Sequence, residues 1–200
     1  MTSTQLVFLS NYQSPTSRMT ATMQAWLPVM LFSTIFAIES TAAFGADHTS
    51  APLHNFLQLI IGSAVDHDWS YIHHIIRKTG HFTGYGILSL ISFRGFWLSF
   101  GESTSRFFQR RFVRQLASHA GAVAVTFLVA SADEIHQSFL PNRTGLFSDV
   151  LLDTTGATVL QVLLFLILGA IALWHKSPAM EENAQHSSGS ESQHQLPRAA

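Results

Sequence analysis

Between Ser131 and Gly156 the chain reads SADEIHQSFLPNRTGLFSDVLLDTTG, a polar stretch set between two long apolar runs. On a helix, Asp133 and Gln137 stand one turn apart, and Glu134 reaches Gln137 at the i,i+3 spacing. Pro141, Asn142 and Gly145 punctuate a tight turn that carries Arg143. After it, Asp149, Asp153 and Gly156 recur at i, i+4 and i+7, so both carboxylates fall on one stripe of the next helix. Upstream, Lys78, His81, Tyr85 and Leu88 follow at steps of 3, 4 and 3, again one helical face. Carboxylates in a low-dielectric setting either pair with a cation such as Lys78, His81 or Arg143 or become neutral. Arg143 and Lys78 are the types that hold phosphate or carboxylate, and His81 or Glu134 could carry a proton. The same residues would serve an ion-paired clamp between helices. Asp149, just after Ser148, suits a helix N-terminus; Gln137 suits interhelical hydrogen bonding; and Lys78, His81 and Tyr85 are common interface anchors.

The elements that must position these groups are apolar and long. The 200 residues are 47% hydrophobic and 12% charged, against about 25% charged in soluble domains, so a membrane protein is expected. A net charge of -1 without basic excess argues against nucleic acid as a partner. The absence of cysteine excludes disulfides and thiolate zinc sites. Residues 1–25 are rich in Ser, Thr and Gln and read as an unstructured polar segment, with Met1 or Met19 as the start. Residues 26–44 are long enough for a first membrane helix. The competing reading is a cleavable signal peptide with Arg18 as its basic end. Residues 45–52 read as a polar linker and 53–65 as an interfacial helix or a re-entrant piece, too short to span. Asp66, His67 and Asp68 then read as a solvated loop. Residues 81–100 form a second span, preceded by the polar and aromatic stretch 71–78. Residues 101–115, with Arg106, Arg110, Arg111 and Arg114, read as a cytoplasmic loop by the positive-inside rule. Residues 116–140 and 150–174 form the third and fourth spans. An even count places both termini on the cytoplasmic side and gathers Lys78, His81, Asp133, Glu134, Gln137, Arg143, Asp149 and Asp153 on the outer rim. The tail, 177–200, is expected to be disordered.

Two blocks of residues resemble the VanZ-like membrane proteins. The first is Lys78-x-x-His81-Phe82-x-x-Tyr85-x-x-Leu88. The second is Asp133-Glu134-x-His136-Gln137, then Pro141-x-Arg143, Asp149 and Gly156. The resemblance covers residues 26–174, and Asp153 stands where the family usually has asparagine. It implies a small helical membrane protein of the cell envelope, in a family named for glycopeptide-antibiotic resistance, with no settled activity to carry over.

The fold expected is therefore an all-α polytopic membrane protein of about four transmembrane helices, its domain occupying residues 26–176. Its expected ligand is a lipid headgroup or a lipid-linked envelope intermediate. Two other readings stand beside that one. In a proton- or ion-coupled transporter, Glu39, Asp133 and Glu134 would mark the path, although the inner halves of the spans lack acidic partners. The other is a non-catalytic scaffold held by the ionic clamp. No G-x-S-x-G, phosphate-cradling glycine loop or H-E-x-x-H is present, so no residue is assigned a catalytic role and the question of an enzyme stays open. Asp133, Glu134, Asp149 and Asp153 would suit Mg²⁺, but ion pairing explains four carboxylates beside two or three cations equally well. No metal or cofactor is assigned, and no oligomeric state follows.

Overall fold

The structure, a computed structural model, describes residues 15–174 apart from Thr104 and Asn142. The expected disorder of residues 177–200 lies outside the described residues. Among the described residues, six α-helices follow one another: α1 (Pro15–Glu39), α2 (Ala46–Ile61), α3 (Trp69–Gly101), α4 (Arg106–Gln109), α5 (Arg111–Ser138) and α6 (Phe147–Trp174). Short 3-10 turns at Ala42–Phe44 and Gly62–Val65 flank α2. Among the described residues, Met19–Glu39, Arg111–Ser138 and Phe147–Trp174 are long and apolar enough to cross a membrane. With α3, whose 33 residues also suffice in length, the protein is an all-α polytopic membrane protein of about four transmembrane helices.

The boundaries differ from expectation where polar residues prove to be helical. Helix α1 is described from Pro15, so the expected unstructured segment is helical from there on, while residues 1–14 lie outside the described set. Ala21, Met23, Gln24 and Ala25 then extend an existing helix without a fresh nucleation cost. The expected linker at 45–52 is mostly the first turns of α2. Its hydroxyls are used there: Thr49 Oγ1 donates to the Gly45 carbonyl (3.0 Å), and Ser50 accepts the Trp69 indole N–H (2.8 Å). Gly62, at φ 76°, closes α2 in a conformation that favours glycine. The expected arginine loop is shorter than 101–115, because α4 and the start of α5 are helical. Arg114 stacks over the Trp97 ring at 3.8 Å and ties this end to α3.

The packing is inverted relative to a soluble protein. Many large apolar side chains face outward, including Leu27, Met30, Leu31, Leu128 and Leu151. The buried positions are largely small or polar: Ser89, Ser92, Ser118, Ala122, Thr126, Ala130 and Ala157. That distribution suits helices packed backbone to backbone within lipid. Val29, Phe36, Tyr85, Leu88, Ala130 and Val150 form the apolar core, with Trp26, Phe32 and Ile91 against it. Below it, Gln161 joins His119 Nδ1 (2.6 Å) to Ser89 Oγ (3.1 Å), a buried link across α3, α5 and α6. Gly156 is needed for the approach of α6 to α3, since a Cβ there would collide with the Phe82 carbonyl. The chain divides into two units after Gln161. Residues 162–174 continue α6 and carry exposed Val162, Leu163, Leu166 and Ile167.

Candidate functional site

Helix α3 presents His73, Arg77, His81 and Tyr85 at successive i,i+4 steps. This places an imidazole, a guanidinium, a second imidazole and a phenol along one face. Lys78 lies one residue round the helix, and its Nζ meets Asp149 Oδ2 at 2.5 Å, with the two side chains 30% and 23% exposed. Asp149 therefore has a cation partner as well as its place in the first turn of α6. Next on that helix, Asp153 is fully buried, and its Oδ2 lies 3.5 Å from His81 Nδ1. Neither Asp153 oxygen has a hydrogen-bond partner among the described residues, so this is an ionic contact at the edge of range.

On α5, Asp133 Oδ2 accepts two bonds, from the Tyr85 hydroxyl (3.0 Å) and from Gln137 Nε2 (3.1 Å). Its Oδ1 is buried without a hydrogen-bond partner among the described residues. Gln137 turns its carbonyl to Arg143, accepting from Nη1 at 3.2 Å. Arg143 Nη2 donates to the backbone carbonyls of Glu39 (3.1 Å) and Thr41 (3.0 Å). The arginine thus caps the carboxyl end of α1, where unpaired carbonyls and the helix dipole favour a cation. Glu134 bends the other way and accepts the Leu146 N–H at 2.7 Å, holding the turn before α6 against the end of α5. That turn comes so close that a Cβ at Gly145 would strike the Glu134 carbonyl. His136 has a structural partner, Ser40 Oγ, at 2.8 Å.

All nine expected site residues lie in this one region, but Arg143, one of the cations expected to pair with the carboxylates, is not ion-paired with Asp133 or Glu134. Gln137 is the physical reason: its amide satisfies acid and base at once and stands between them. Nor do Asp133, Glu134, Asp149 and Asp153 converge as expected of a Mg²⁺ site; no cluster of three potential metal ligands occurs among the described residues.

Two cavities of about 390 Å³ each open here. His73, Arg77, His81, Gln137 and Arg143 line both. The first sets Arg77, Arg143, Asp133 and Glu39 against an apolar wall of Phe32, Phe36, Phe44 and Leu53. The second is more polar and adds Lys78, Glu134 and Asp149. Arg77 has no ion pair with a carboxylate among the described residues, and neither has Arg143. In the turns of α3 ahead of residue 81, burial and the neighbouring Arg143 charge push the Arg77 guanidinium below its usual value. Burial, with the Arg77 and His74 charges adding to it, likewise lowers buried His73.

Sequence reasoning had missed His73 and Arg77. Their i,i+4 register with His81 was the available signal, obscured because Lys78 starts a second stripe one residue away. Glu39, expected to mark an ion path, is the last residue of α1 and of its candidate span, and it lines the cavity.

A model of the VanZ/LLP1 family matches residues 5–172. No curated protein and no solved structure matches the chain.

Proposed function

The chain belongs to the VanZ/LLP1 family, and from that premise we propose that its rim cavity binds the anionic group in the headgroup of a membrane amphiphile, a lipid or a lipid-linked envelope intermediate. One observation carries this reading. Arg77 and Arg143 line the same cavity, neither is paired with a carboxylate among the described residues, and phenylalanine and leucine line it as well. Two half-buried guanidiniums repel each other, and an anion between them relieves that cost through charge-assisted bonds. The apolar wall suits the first carbons of a hydrocarbon tail. A clamp that only tied helices together would place the guanidiniums on the acids beside them, whereas Gln137 holds Arg143 off Asp133.

In this reading the protein sits in the cell membrane with the cavity on the outer side and both termini in the cytoplasm. The support is the arginine cluster of α4 and α5, which follows the far end of α3. An envelope precursor is then within reach, which accords with the resistance phenotype behind the family name. The reading is one of binding, with no chemical step assigned.

Lipids carried through detergent purification test it. Arg77→Gln removes a charge that has no ion pair with a carboxylate among the described residues, so the fold should survive. Mass spectrometry of the retained lipids should show phosphate-bearing headgroups depleted about tenfold, the scale of one lost charge-assisted bond. Identical lipid profiles in wild type and variant, both folded, would refute the proposal.

A further inference from the structure

The same cavity carries uncompensated charge of the other sign as well, and we infer that its ligand is a zwitterion: a phosphate amphiphile bearing a primary amine, of the phosphoethanolamine type. This inference rests on the headgroup reading above. Asp133 lines the cavity at 8% exposure, and its Oδ1 is buried with no hydrogen-bond partner among the described residues. Glu39 lines the same cavity, and no described cation pairs with its carboxylate. The cavity therefore offers two guanidiniums and two carboxylates that do not neutralise one another.

Gln137 keeps them apart. Its Nε2 satisfies Asp133 Oδ2 and its Oε1 satisfies Arg143 Nη1, so acid and base are presented one amide's width from each other instead of collapsing into an ion pair. A plain anion would leave Asp133 buried beside it as a like charge, and a plain cation would face two arginines. A ligand with both charges on neighbouring carbons meets both demands. The amine is a primary one because a buried carboxylate oxygen without a donor needs an N–H, which a quaternary ammonium cannot supply.

Native mass spectrometry of the full-length protein, exchanged into micelles containing equal phosphatidylethanolamine, phosphatidylglycerol and phosphatidylcholine, reads this directly. The wild type should retain phosphatidylethanolamine about tenfold over the other two. Asp133→Asn should bring it down to the phosphatidylglycerol level, and Glu39→Gln, a change at an exposed position that leaves folding intact, should narrow the preference in the same direction. Free phosphoethanolamine should displace the lipid poorly, because it lacks the tail that meets the phenylalanine wall. Equal retention of phosphatidylethanolamine and phosphatidylglycerol by wild type would overturn the zwitterion. So would a preference that neither carboxylate variant changes; displacement by free phosphoethanolamine as effective as by lipid would overturn the amphiphile, since the tail would then contribute nothing. If phosphorus lipids are still lost in Arg77→Gln under the first two outcomes, the anionic-headgroup reading stands alone. If no lipid depends on Arg77, both fall.

Discussion

Gln137 is the residue on which the electrostatics of the site turn. Both ends of its amide are committed, so replacing it removes a donor from Asp133 and an acceptor from Arg143 in one step. Leaving buried polar groups unsatisfied costs about 1–3 kcal/mol each. Gln137→Leu should therefore lower the melting temperature in detergent well beyond Lys78→Met, and a smaller effect than Lys78→Met would contradict the relay. Lys78 and Asp149 form a partly exposed ion pair, for which a coupling of about 0.2–1 kcal/mol is expected. A double-mutant cycle of Lys78→Met with Asp149→Asn should return a value in that range, and strict additivity would mean that the pair is not populated. The polar types at this rim were legible from the sequence because an apolar chain makes every charge conspicuous. Their pairing was not, because a helical wheel shows which residues share a face and cannot show that Gln137 lies between Arg143 and Asp133.

Helix α3 carries the site by projecting its amino-terminal turns past residue 81, and two kinds of contact hold those turns. The first is close backbone packing. Gly156→Ala would push a methyl group into the Phe82 carbonyl, which as backbone cannot yield, so a loss of about 1–3 kcal/mol is expected. Gly169→Ala, with open space around its Cβ position, should be neutral in the same thermal assay. Equal effects would count against the close approach of α6 to α3. The second contact is His73, buried where α2 and α3 meet and 3.4 Å from Thr49 Oγ1. Its folded value lies below the ordinary 6.5, so below that pH the unfolded chain binds the extra proton and stability falls as pH falls. Between about pH 7 and pH 5, His73→Gln should lose less melting temperature than wild type; an equal loss would exclude His73 as the source. The long apolar helices were legible from their length alone, while the helix from Pro15 on and the helical 46–52 stretch were not. Polar side chains of the 46–52 stretch make their bonds within the helix and to α3, contacts that no local pattern announces.

At the scale of the whole molecule the account requires a membrane with the cavity at one surface and the arginine cluster at the other. The chain contains no cysteine, so single cysteines report topology without background. Asp68→Cys should react with an impermeant maleimide in intact cells, and Glu102→Cys only after permeabilisation. The reverse pattern would move the cavity to the cytoplasmic side and remove an outer-leaflet ligand. The central claim is that Arg77 and Arg143 await an anion, and an experimental structure of the protein in lipid nanodiscs measures it most directly. Density is expected for a phosphate-sized headgroup within hydrogen-bonding distance of the cavity's guanidiniums, continuing as a tail along Phe32 and Phe36. A cavity closed on itself, with Arg77 and Arg143 each paired to a carboxylate of the chain, would contradict it.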